Sequence, residues 1–372
     1  MFNLLELIVR ILIFAAGLWV VLFTLSSAVR AFVLPRNDNV WLTRTVAQLI
    51  RRLFQLRICL QNAVTYEQKD RIMAMFAPVV LLSLPVVWLV LVMIGYTLMY
   101  YASSTMSLYE SWRLSGSSML TLGFFVSDSF QSLILEFSEA MIGMVLTALL
   151  IGYLPTMYSA FSQREVLVGK LVVRAGSPPS AVEMLARIHR QRGLEKLPDL
   201  LEEWENWFVS LEETHTSLSS LVFFRSPKPD QSWVTAAGVV LDASALYLAA
   251  VQHSGNTVQV ALTIRAGFMA LRHIAAFFRI PFNANPKPDD PISISRFEFD
   301  EACNQLAAQG VPLKPDRDQA WRDYAGWRVN YDVPLLALAA MTMAPYAPWV
   351  SDRSLPMVIQ RQLGTNRTRQ SG

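Results

Sequence analysis

The hydrophobic and polar positions divide the chain into an apolar first half and a second half of mixed character. Three stretches of the first half, at about 4–29, 76–101 and 133–161, approach the roughly 20 apolar residues that a helix needs to cross a bilayer core. Their few charges lie close to their starts: Glu6 and Arg10 in the first stretch, Glu136 and Glu139 in the third. The pattern predicts an all-α membrane protein with three transmembrane helices.

Composition supports this class and offers no basis for an enzyme. Hydrophobic residues make up 53% of the 372 residues and charged residues 16%, against roughly a quarter in soluble domains. Cys59 and Cys303 match no metal or redox spacing, the four histidines form no metal-binding pattern, and no nucleophile elbow or paired carboxylates stand out. A net charge of +3 is too small to indicate nucleic acid as a partner. We therefore expect no catalytic residues, no resident metal and no cofactor.

The distribution of basic residues predicts an orientation. Residues 30–72 hold eight Arg or Lys against three acids, whereas residues 102–132 contain a single basic residue, Arg113. Short loops rich in Arg and Lys stay in the cytoplasm. We expect a multi-pass protein of the cell (inner) membrane, with residues 102–132 facing outward and the C-terminus in the cytoplasm.

Apolar and basic residues alternate at helical spacing over residues 40–60 of the basic loop. Such a helix could lie on the anionic inner leaflet with its apolar side down. It could equally pack on a cytoplasmic domain. The sequence leaves both interpretations open.

Residues 102–132 have a pattern of their own. Residues 109–120 predict a helix of about three turns, which is too short to cross a bilayer. A half-length helix, a turn and a full span are typical of a re-entrant pore loop, whose non-helical backbone is tolerated where protein or a water-filled cavity surrounds it. The turn reads Thr121, Leu122, Gly123, Phe124 and Phe125.

This turn resembles the selectivity filter of the potassium-channel pore family, whose signature is Thr-x-Gly-Tyr/Phe-Gly after a pore helix. The resemblance implies that backbone oxygens of residues 121–125 replace the hydration shell of a permeating monovalent cation, potassium foremost. It also implies that the Thr121 hydroxyl supplies the innermost oxygen ring and that Phe124 packs behind the filter. Ser115, Ser117 and Ser118 stand where the pore helix should pack closely on its neighbours.

The third apolar stretch resembles the inner, pore-lining helix of the same family. Gly143 lies where a gating hinge is expected, and Gly152 and Pro155 could bend the helix near the inner mouth. The alternative is that the glycines allow close packing of membrane helices, which we prefer for Gly152. A filter needs fourfold repetition, and the chain has one such segment, so we expect a homotetramer in the lipid bilayer.

The filter departs from the family signature at its second glycine. Phe125 stands there, Val126 replaces the acid that usually follows, and the nearest acid is Asp128. A phenylalanine adopts a glycine-only backbone conformation at a cost, so potassium selectivity stays open. The rival hypothesis is a non-conducting, membrane-anchored sensor or scaffold with a degenerate pore.

The second half predicts a helical cytoplasmic domain that gates the pore and responds to an unknown regulator. Its helices are expected at about 181–194, 198–224, 231–252, 257–279, 296–309 and 317–342. The acidic residues of 202–213 predict a solvated helix face, with a docking site for a basic partner or a divalent cation as the alternative. The domains are 1–30 (peripheral transmembrane helix), 31–73 (basic amphipathic loop), 74–165 (pore domain), 166–180 (linker), 181–350 (helical cytoplasmic domain) and 351–372 (polar tail).

Two helices of the second half, at about 233–251 and 258–278, are apolar enough to be a fourth and a fifth span. Asp242 in the first of them, and Arg265 and Arg272 in the second, would be costly inside a bilayer. We favour buried core helices, with Asp242 paired to Arg265 or Arg272.

Overall fold

The computed structural model describes residues 4–32, 41–60, 65–191, 193–253, 255 and 257–353. Over these residues the fold is all-helical and contains no β-strand, as predicted. Most of the predicted polar tail, and residues 33–40 and 61–64 of the basic loop, lie outside the described residues. The α-helices are α1 Leu4–Phe32, α2 Trp41–Leu60, α3 Tyr66–Ala74, α4 Phe76–Ser103, α5 Leu108–Met119, α6 Phe130–Ala175, α7 Ala181–Arg190, α8 Leu197–Ser217, α9 Trp233–Ala250, α10 Val258–Phe277, α11 Arg296–Ala308, α12 Arg317–Arg328 and α13 Asp332–Thr342.

The chain forms two compact units. The first comprises residues 1–63 and 72–159, and the second comprises residues 64–71 and 160–372, as far as they are described. Among the described residues, five helices are long and apolar enough to cross a membrane: α1, α4, α6, α9 and α10.

In the first unit, α1 and α4 cross at a pair of glycines. A Cβ atom on Gly17 would lie 2.5 Å from the Gly95 carbonyl oxygen, and one on Gly95 would lie 2.8 Å from the Gly17 oxygen. Helix backbones approach this closely only where small residues stand at the crossing. The Arg10 guanidinium donates to the Ser104 carbonyl oxygen over 2.7 Å. The start of α1 therefore lies beside the end of α4, and the two helices run antiparallel.

Helix α2 belongs to the first unit and packs on α4. Leu42, Val46 and Ile50 are buried, and the ring of Phe54 lies 5.9 Å from that of Phe76. A second apolar stripe on the same helix is exposed, with exposed arginines beside it. The stripe consists of Leu49, Leu53, Leu56 and Leu60, and the arginines are Arg52 and Arg57. This arrangement favours the membrane-surface interpretation, because such a helix buries its apolar side in lipid and pairs its basic flanks with headgroups.

Helix α6 is longer than the apolar pattern predicts, since it runs from Phe130 to Ala175. It begins in the first unit and ends in the second. Residues 166–175, predicted as part of a linker, continue the helix, because the sequence there contains no proline. The helix stops at Gly176, which has a φ of 84°, the left-handed conformation that commonly ends helices.

The second unit is built around α9. Seventeen of the eighteen residues of this helix are buried, and its neighbours include α7, α10, α12 and α13. A helix enclosed on all sides by its own unit has no face left for lipid. Burial therefore favours the core-helix interpretation of α9 over a fourth span. Cys303 of α11 is also buried and is not part of a disulfide.

The predicted partner of Asp242 is wrong. Both carboxylate oxygens of Asp242 accept from Nη1 of Arg328, each at 2.7 Å, while Arg272 bonds Asn330 and Arg265 is exposed. Arg265 and Arg272 were predicted as partners of Asp242 because they lie in the next apolar helix along the chain. Arg328 lies 86 positions from Asp242, in a helix whose amphipathic pattern does not mark it as buried.

Asp242, Arg328 and Asp332 form a buried triad. Nε of Arg328 donates to Asp332 over 2.7 Å, and the Tyr331 hydroxyl donates to Asp242 over 2.8 Å. Burial alone lowers the pKa of Arg328, but the two carboxylates outweigh it and raise the pKa well above the ordinary value. The guanidinium is therefore charged in the folded protein, and the second carboxylate is held by neutral donors such as the Ser293 hydroxyl, at 2.6 Å.

Residues 317–342, predicted as one helix, form α12 and α13 with a break at 329–331. Pro334 explains the break, because its ring would clash with the carbonyl of residue 330 in a continuous helix. Arg272 stabilises the break by donating to the Asn330 carbonyl oxygen over 2.7 Å.

The acidic residues of α8 contact neighbouring helices of the same unit. Glu203 pairs with Lys170, Glu205 accepts from Gln259 over 2.5 Å, and Glu212 pairs with His273 over 2.6 Å. These contacts favour the interpretation of a solvated face that also joins helices.

Replacing Arg328 with methionine should destabilise the second unit severely. The change leaves Asp242 and Asp332 buried without a counter-charge, and breaking a buried pair from one side costs about 3–5 kcal/mol. Urea unfolding in detergent, followed by tryptophan fluorescence, measures the loss. The matched control is Arg296→Met, since Arg296 also contacts two carboxylates, Asp300 and Asp318, but on the surface, where exposed pairs contribute up to about 1 kcal/mol. Similar losses in both variants would contradict a structural role for the triad.

Candidate functional site: helix α5 and the turn that follows it

Helix α5 is fixed at its start by a capping box. The Ser107 hydroxyl accepts from the Glu110 amide over 3.2 Å, and the Glu110 carboxylate accepts from the Ser107 amide over 2.7 Å. These two bonds satisfy amides that a helix start leaves without partners. The helix begins at Leu108 and ends at Met119, within one residue of the expected 109–120 at each end.

The end of α5 is a Schellman turn that the predicted filter sequence itself forms. The Leu122 amide donates to the Ser117 carbonyl over 2.8 Å, and the Thr121 amide donates to the Ser118 carbonyl over 3.0 Å. Thr121 has a φ of 54°, where glycine is the usual residue. A β-branched residue costs roughly 1–2 kcal/mol in this conformation, so the turn is held by its surroundings.

Residues 121–125 lie on the surface of the single chain. Thr121, Leu122, Gly123 and Phe124 are exposed, and Phe125 is half-buried. The Thr121 hydroxyl donates to the Leu120 carbonyl over 2.8 Å. Gly123 has a φ of 67°, whereas Phe125 is not among the residues with positive φ. Phe125 therefore does not take the backbone conformation that the family's second glycine allows.

Two side chains of the surrounding helices hold the segment from behind. The Phe125 amide donates to the Ser117 hydroxyl over 3.1 Å, and the Ser127 amide donates to the Glu136 carboxylate over 3.1 Å. Amides that leave the regular helix thus find side-chain partners on α5 and α6. Ser117 has this role in addition to the close packing expected of it.

Arg113 of α5 lies over the aromatic rings of the segment. Its guanidinium carbon is 4.9 Å from the centre of the Phe125 ring, 5.9 Å from that of Phe124 and 5.8 Å from that of Tyr109. Each such contact contributes about 0.5–2 kcal/mol. Sequence reasoning used Arg113 only to orient the chain and missed this cluster. Arg113 and Tyr109 are four residues apart and therefore share one face of α5. This spacing could have indicated the contact between these two side chains.

A buried carboxyl group joins three helices behind the segment. Oε1 of Glu139 (α6) lies 2.5 Å from the Ser115 hydroxyl of α5, and Oε2 accepts from the Tyr100 hydroxyl of α4 over 2.9 Å. All three residues are fully buried. No Arg, Lys or His within the described part of the chain forms a salt bridge with Glu139. A buried carboxyl without a counter-charge is costly, and the two hydroxyl groups of α4 and α5 offset part of that cost.

Sequence reasoning counted Glu139 only as a charge near the start of a span. Its importance could have been noticed, since it lies one helical turn before Gly143 and follows a segment rich in serine. Which hydroxyls it contacts depends on how α4, α5 and α6 pack, and the apolar pattern does not contain that information.

The three predicted hinge residues have different surroundings. A Cβ atom on Gly143 would lie 2.4 Å from the Met119 carbonyl oxygen, while nothing lies within 4 Å of one on Gly152. Pro155 lies within α6 without ending it. Gly143 thus has a packing role against the end of α5, the alternative considered for it. Close packing, which we preferred for Gly152, has no support within the single chain.

Comparisons with known proteins identify no relative: no family model, no curated protein and no solved structure matches this chain. No group of three or more His, Cys, Asp or Glu side chains in the described ranges could hold a metal ion. What the molecule does must follow from its own residues.

Adding a methyl group at Gly143 should loosen the end of α5. Gly143→Ala places a carbon against a backbone oxygen that a side-chain rotation cannot move away, and overpacking of this kind costs roughly 1–3 kcal/mol. Gly152→Ala is the matched control, and we expect it to be neutral or to stabilise the helix by about 0.5–1 kcal/mol. Thermal unfolding in detergent compares the two. The packing role would be rejected if Gly143→Ala were as stable as the wild type.

Replacing Glu139 should expose the amides of α5 and of the turn that follows it. Glu139→Ala removes the carboxylate that accepts from the buried Tyr100 hydroxyl, at about 1–3 kcal/mol for an unsatisfied group, and leaves the Ser115 hydroxyl with the Met93 carbonyl alone, whereas Glu139→Gln keeps an oxygen acceptor. Hydrogen exchange of amides 108–127 should therefore accelerate strongly in the Ala variant and little in the Gln variant. Equal protection in Glu139→Ala and the wild type would show that the carboxyl does not hold the segment.

Proposed function

We propose that the chain is one subunit of a homotetrameric membrane channel through which monovalent cations pass passively, potassium being the favoured ion. The observation that carries the proposal is α5. It is a capped helix of 12 residues, about 18 Å long, between two helices long enough to span the roughly 30 Å apolar core. Such a helix enters and leaves on the same side of a membrane.

The turn after α5 supports a role for its backbone oxygens. Thr121 and Gly123 have positive φ values. In a regular β-strand successive carbonyl groups point in opposite directions, and positive φ values at these two residues interrupt that alternation. Residues 121–124 are exposed in the single chain, as expected of a surface that completes itself by fourfold repetition. The Ser117 hydroxyl and the Glu136 carboxylate hold the turn by accepting hydrogen bonds from its backbone amides.

Helix α6 supports gating by the second unit. Its 46 residues form one helix that begins in the first unit and ends in the second. A displacement of the C-terminal end of α6 would be transmitted along the helix to its N-terminal end, beside the proposed filter, because no flexible linker interrupts the helix. In this proposal the second unit is the cytoplasmic gating domain, and α2 lies on the inner leaflet of the cell membrane.

One observation favours the rival function, a non-conducting membrane-anchored sensor or scaffold. Arg113 stacks on Phe125 at 4.9 Å, and fourfold repetition would place four guanidinium groups around the outer mouth. A ring of positive charge raises the barrier for cations. Phe125 and Arg113 together are the features of a closed or degenerate filter.

Ion flux in proteoliposomes tests the proposal directly. We expect the wild type to dissipate a potassium gradient and, less readily, a sodium gradient. Phe125→Gly should sharpen the preference for potassium several-fold, because glycine at this position permits the missing carbonyl orientation. Val126→Gly is the matched control, since it loosens the adjacent exposed position without altering the signature. Chemical cross-linking in the same vesicles reports the oligomeric state.

The outcomes separate the two functions. Tetramers with no flux in either the wild type or Phe125→Gly would favour the scaffold. Monomers would exclude the pore altogether, since one chain supplies one filter segment.

A further inference from the structure

Arg164, in the last third of α6, binds the segment that follows α8. Its Nη1 donates to the Leu221 carbonyl and its Nη2 to the Phe224 carbonyl, each over 2.8 Å. Its own carbonyl accepts from the Trp207 indole over 3.1 Å. The Arg164 side chain is almost fully buried and pairs with Glu165. We call residues 218–224 the latch segment, because two of its carbonyls are held by this one guanidinium.

His215, at the end of α8, completes the contact. The residue is fully buried, its Nε2 lies 3.3 Å from Nη1 of Arg164, and its ring lies 4.7 Å from that of Trp233. A guanidinium donates hydrogen bonds and cannot accept them. Nε2 of His215 must therefore be the acceptor, and the ring is neutral with its proton on Nδ1. Nδ1 lies 3.2 Å from the Thr214 hydroxyl, whose own proton goes to the Ser210 carbonyl, so Nδ1–H has an acceptor available.

The charges around His215 offer no compensation for a proton. From α6, Arg164 faces the ring and Glu165 is engaged with Arg164. From α8 itself, Glu212 is paired with His273 of α10, and the Leu211 carbonyl is the backbone group that contacts the ring. The latch segment and the start of α9 present backbone carbonyls and the Trp233 ring.

The latch segment borders a small cavity. The cavity has a volume of about 20 Å³, enough for about one water molecule, and is lined by Val222, Phe224 and Ser226 together with Trp233 and Thr342. The buried hydroxyl of Ser226 has no hydrogen-bond partner among the described residues. Beyond the segment, Arg225 is anchored independently by Asp70 and by the Thr342 carbonyl at 3.1 Å. The C-terminal end of the latch segment is therefore held by contacts that do not involve Arg164.

We propose that Arg164 and His215 form an acid-sensitive latch, in which a proton on Nε2 of His215 releases residues 218–224 from α6. In the neutral ring, Nε2 of His215 accepts the hydrogen bond from Nη1 of Arg164. Protonation turns Nε2 into a donor, so two donors then face each other. It also places two positive charges about 3.3 Å apart in a buried site, where charges of equal sign repel strongly. The protonated ring is accommodated once the segment opens and water reaches it.

The sign of the pH dependence follows from the two states. Burial, and then the charge of Arg164, lower the pKa of His215 well below its ordinary value in the closed latch, whereas an exposed histidine titrates near about 6.5. Below about pH 6.5 the open state thus binds one more proton than the closed state, so the population of the open state rises by up to about tenfold per pH unit. Above about pH 7 neither state binds the proton, and the latch is insensitive to pH. The inference does not depend on the proposed pore.

Hydrogen exchange of the full chain in lipid nanodiscs tests the latch. Protection factors of amides 219–224, corrected for the intrinsic pH dependence of exchange, should fall about tenfold between pH 6 and pH 5 in the wild type. His215→Gln keeps an oxygen acceptor for Arg164 and cannot titrate, so its protection should stay level over this range. His273→Gln, which removes an exposed histidine on the neighbouring helix, should behave as the wild type.

The proposal is overturned if His215→Gln loses protection with the same pH dependence as the wild type, or if the wild type loses none. A second measurement needs no substitution: exchange of the histidine C2 hydrogen, followed by mass spectrometry, reports the titration of each histidine in the intact chain. We expect His215 to titrate well below the ordinary histidine value, and titration of His215 at or above about pH 6.5 in the closed protein would also overturn the latch.

Discussion

Backbone amides and carbonyls at the end of a helix lose their partners within the helix, and residues 120–127 find replacement partners on α5 and α6. The end of α5 satisfies two amides by the Schellman turn at Ser117 and Ser118. The next amides find the Ser117 hydroxyl and the Glu136 carboxylate. The serines of α5 and the acids of α6 are thus parts of one structure, although the sequence shows them as separate features.

Glu139, which is buried behind the turn, also has its hydrogen-bond partners within the protein. A carboxyl group bound by hydroxyls of α4 and α5, with no salt bridge among the described residues, fixes how three helices meet. Gly143, one turn further along α6, lets the Met119 carbonyl approach the helix axis. Together these two positions determine where the turn at Thr121 lies. The hinge role expected of Gly143 would have to break this contact, so bending at Gly152, where no atom stands near the Cβ position, involves less disruption within the chain.

The sequence predicted helices better than it predicted contacts, for a physical reason. Apolar periodicity and capping residues are local, so α2, α4, α5 and α11 begin and end within a few residues of the expected positions. Partners of buried charges depend on which helices meet, and Asp242 was assigned to the wrong arginines because Arg328 is distant in sequence and belongs to a polar helix. The assignment of residues 121–125 as a filter rests on the Thr-x-Gly-Phe pattern and stays a prediction. The contacts of Glu139, Glu136 and Arg113 around these residues were not predicted, because each side chain contacts residues on another helix or beyond a turn.

The contact between Phe125 and Arg113 bears on the proposed conduction of cations. A phenylalanine at the second filter-glycine position cannot turn its carbonyl as glycine does, and its ring instead becomes the surface on which Arg113 lies. Arg113 in turn loses part of its hydration to the aromatic rings of Tyr109, Phe124 and Phe125, which keeps its charge beside the filter rather than in bulk water. In the proposed channel, cation binding by the backbone oxygens of residues 121–124 and repulsion by Arg113 at the outer mouth would oppose each other. The balance of the two free energies, rather than the presence of the motif, would decide whether ions cross.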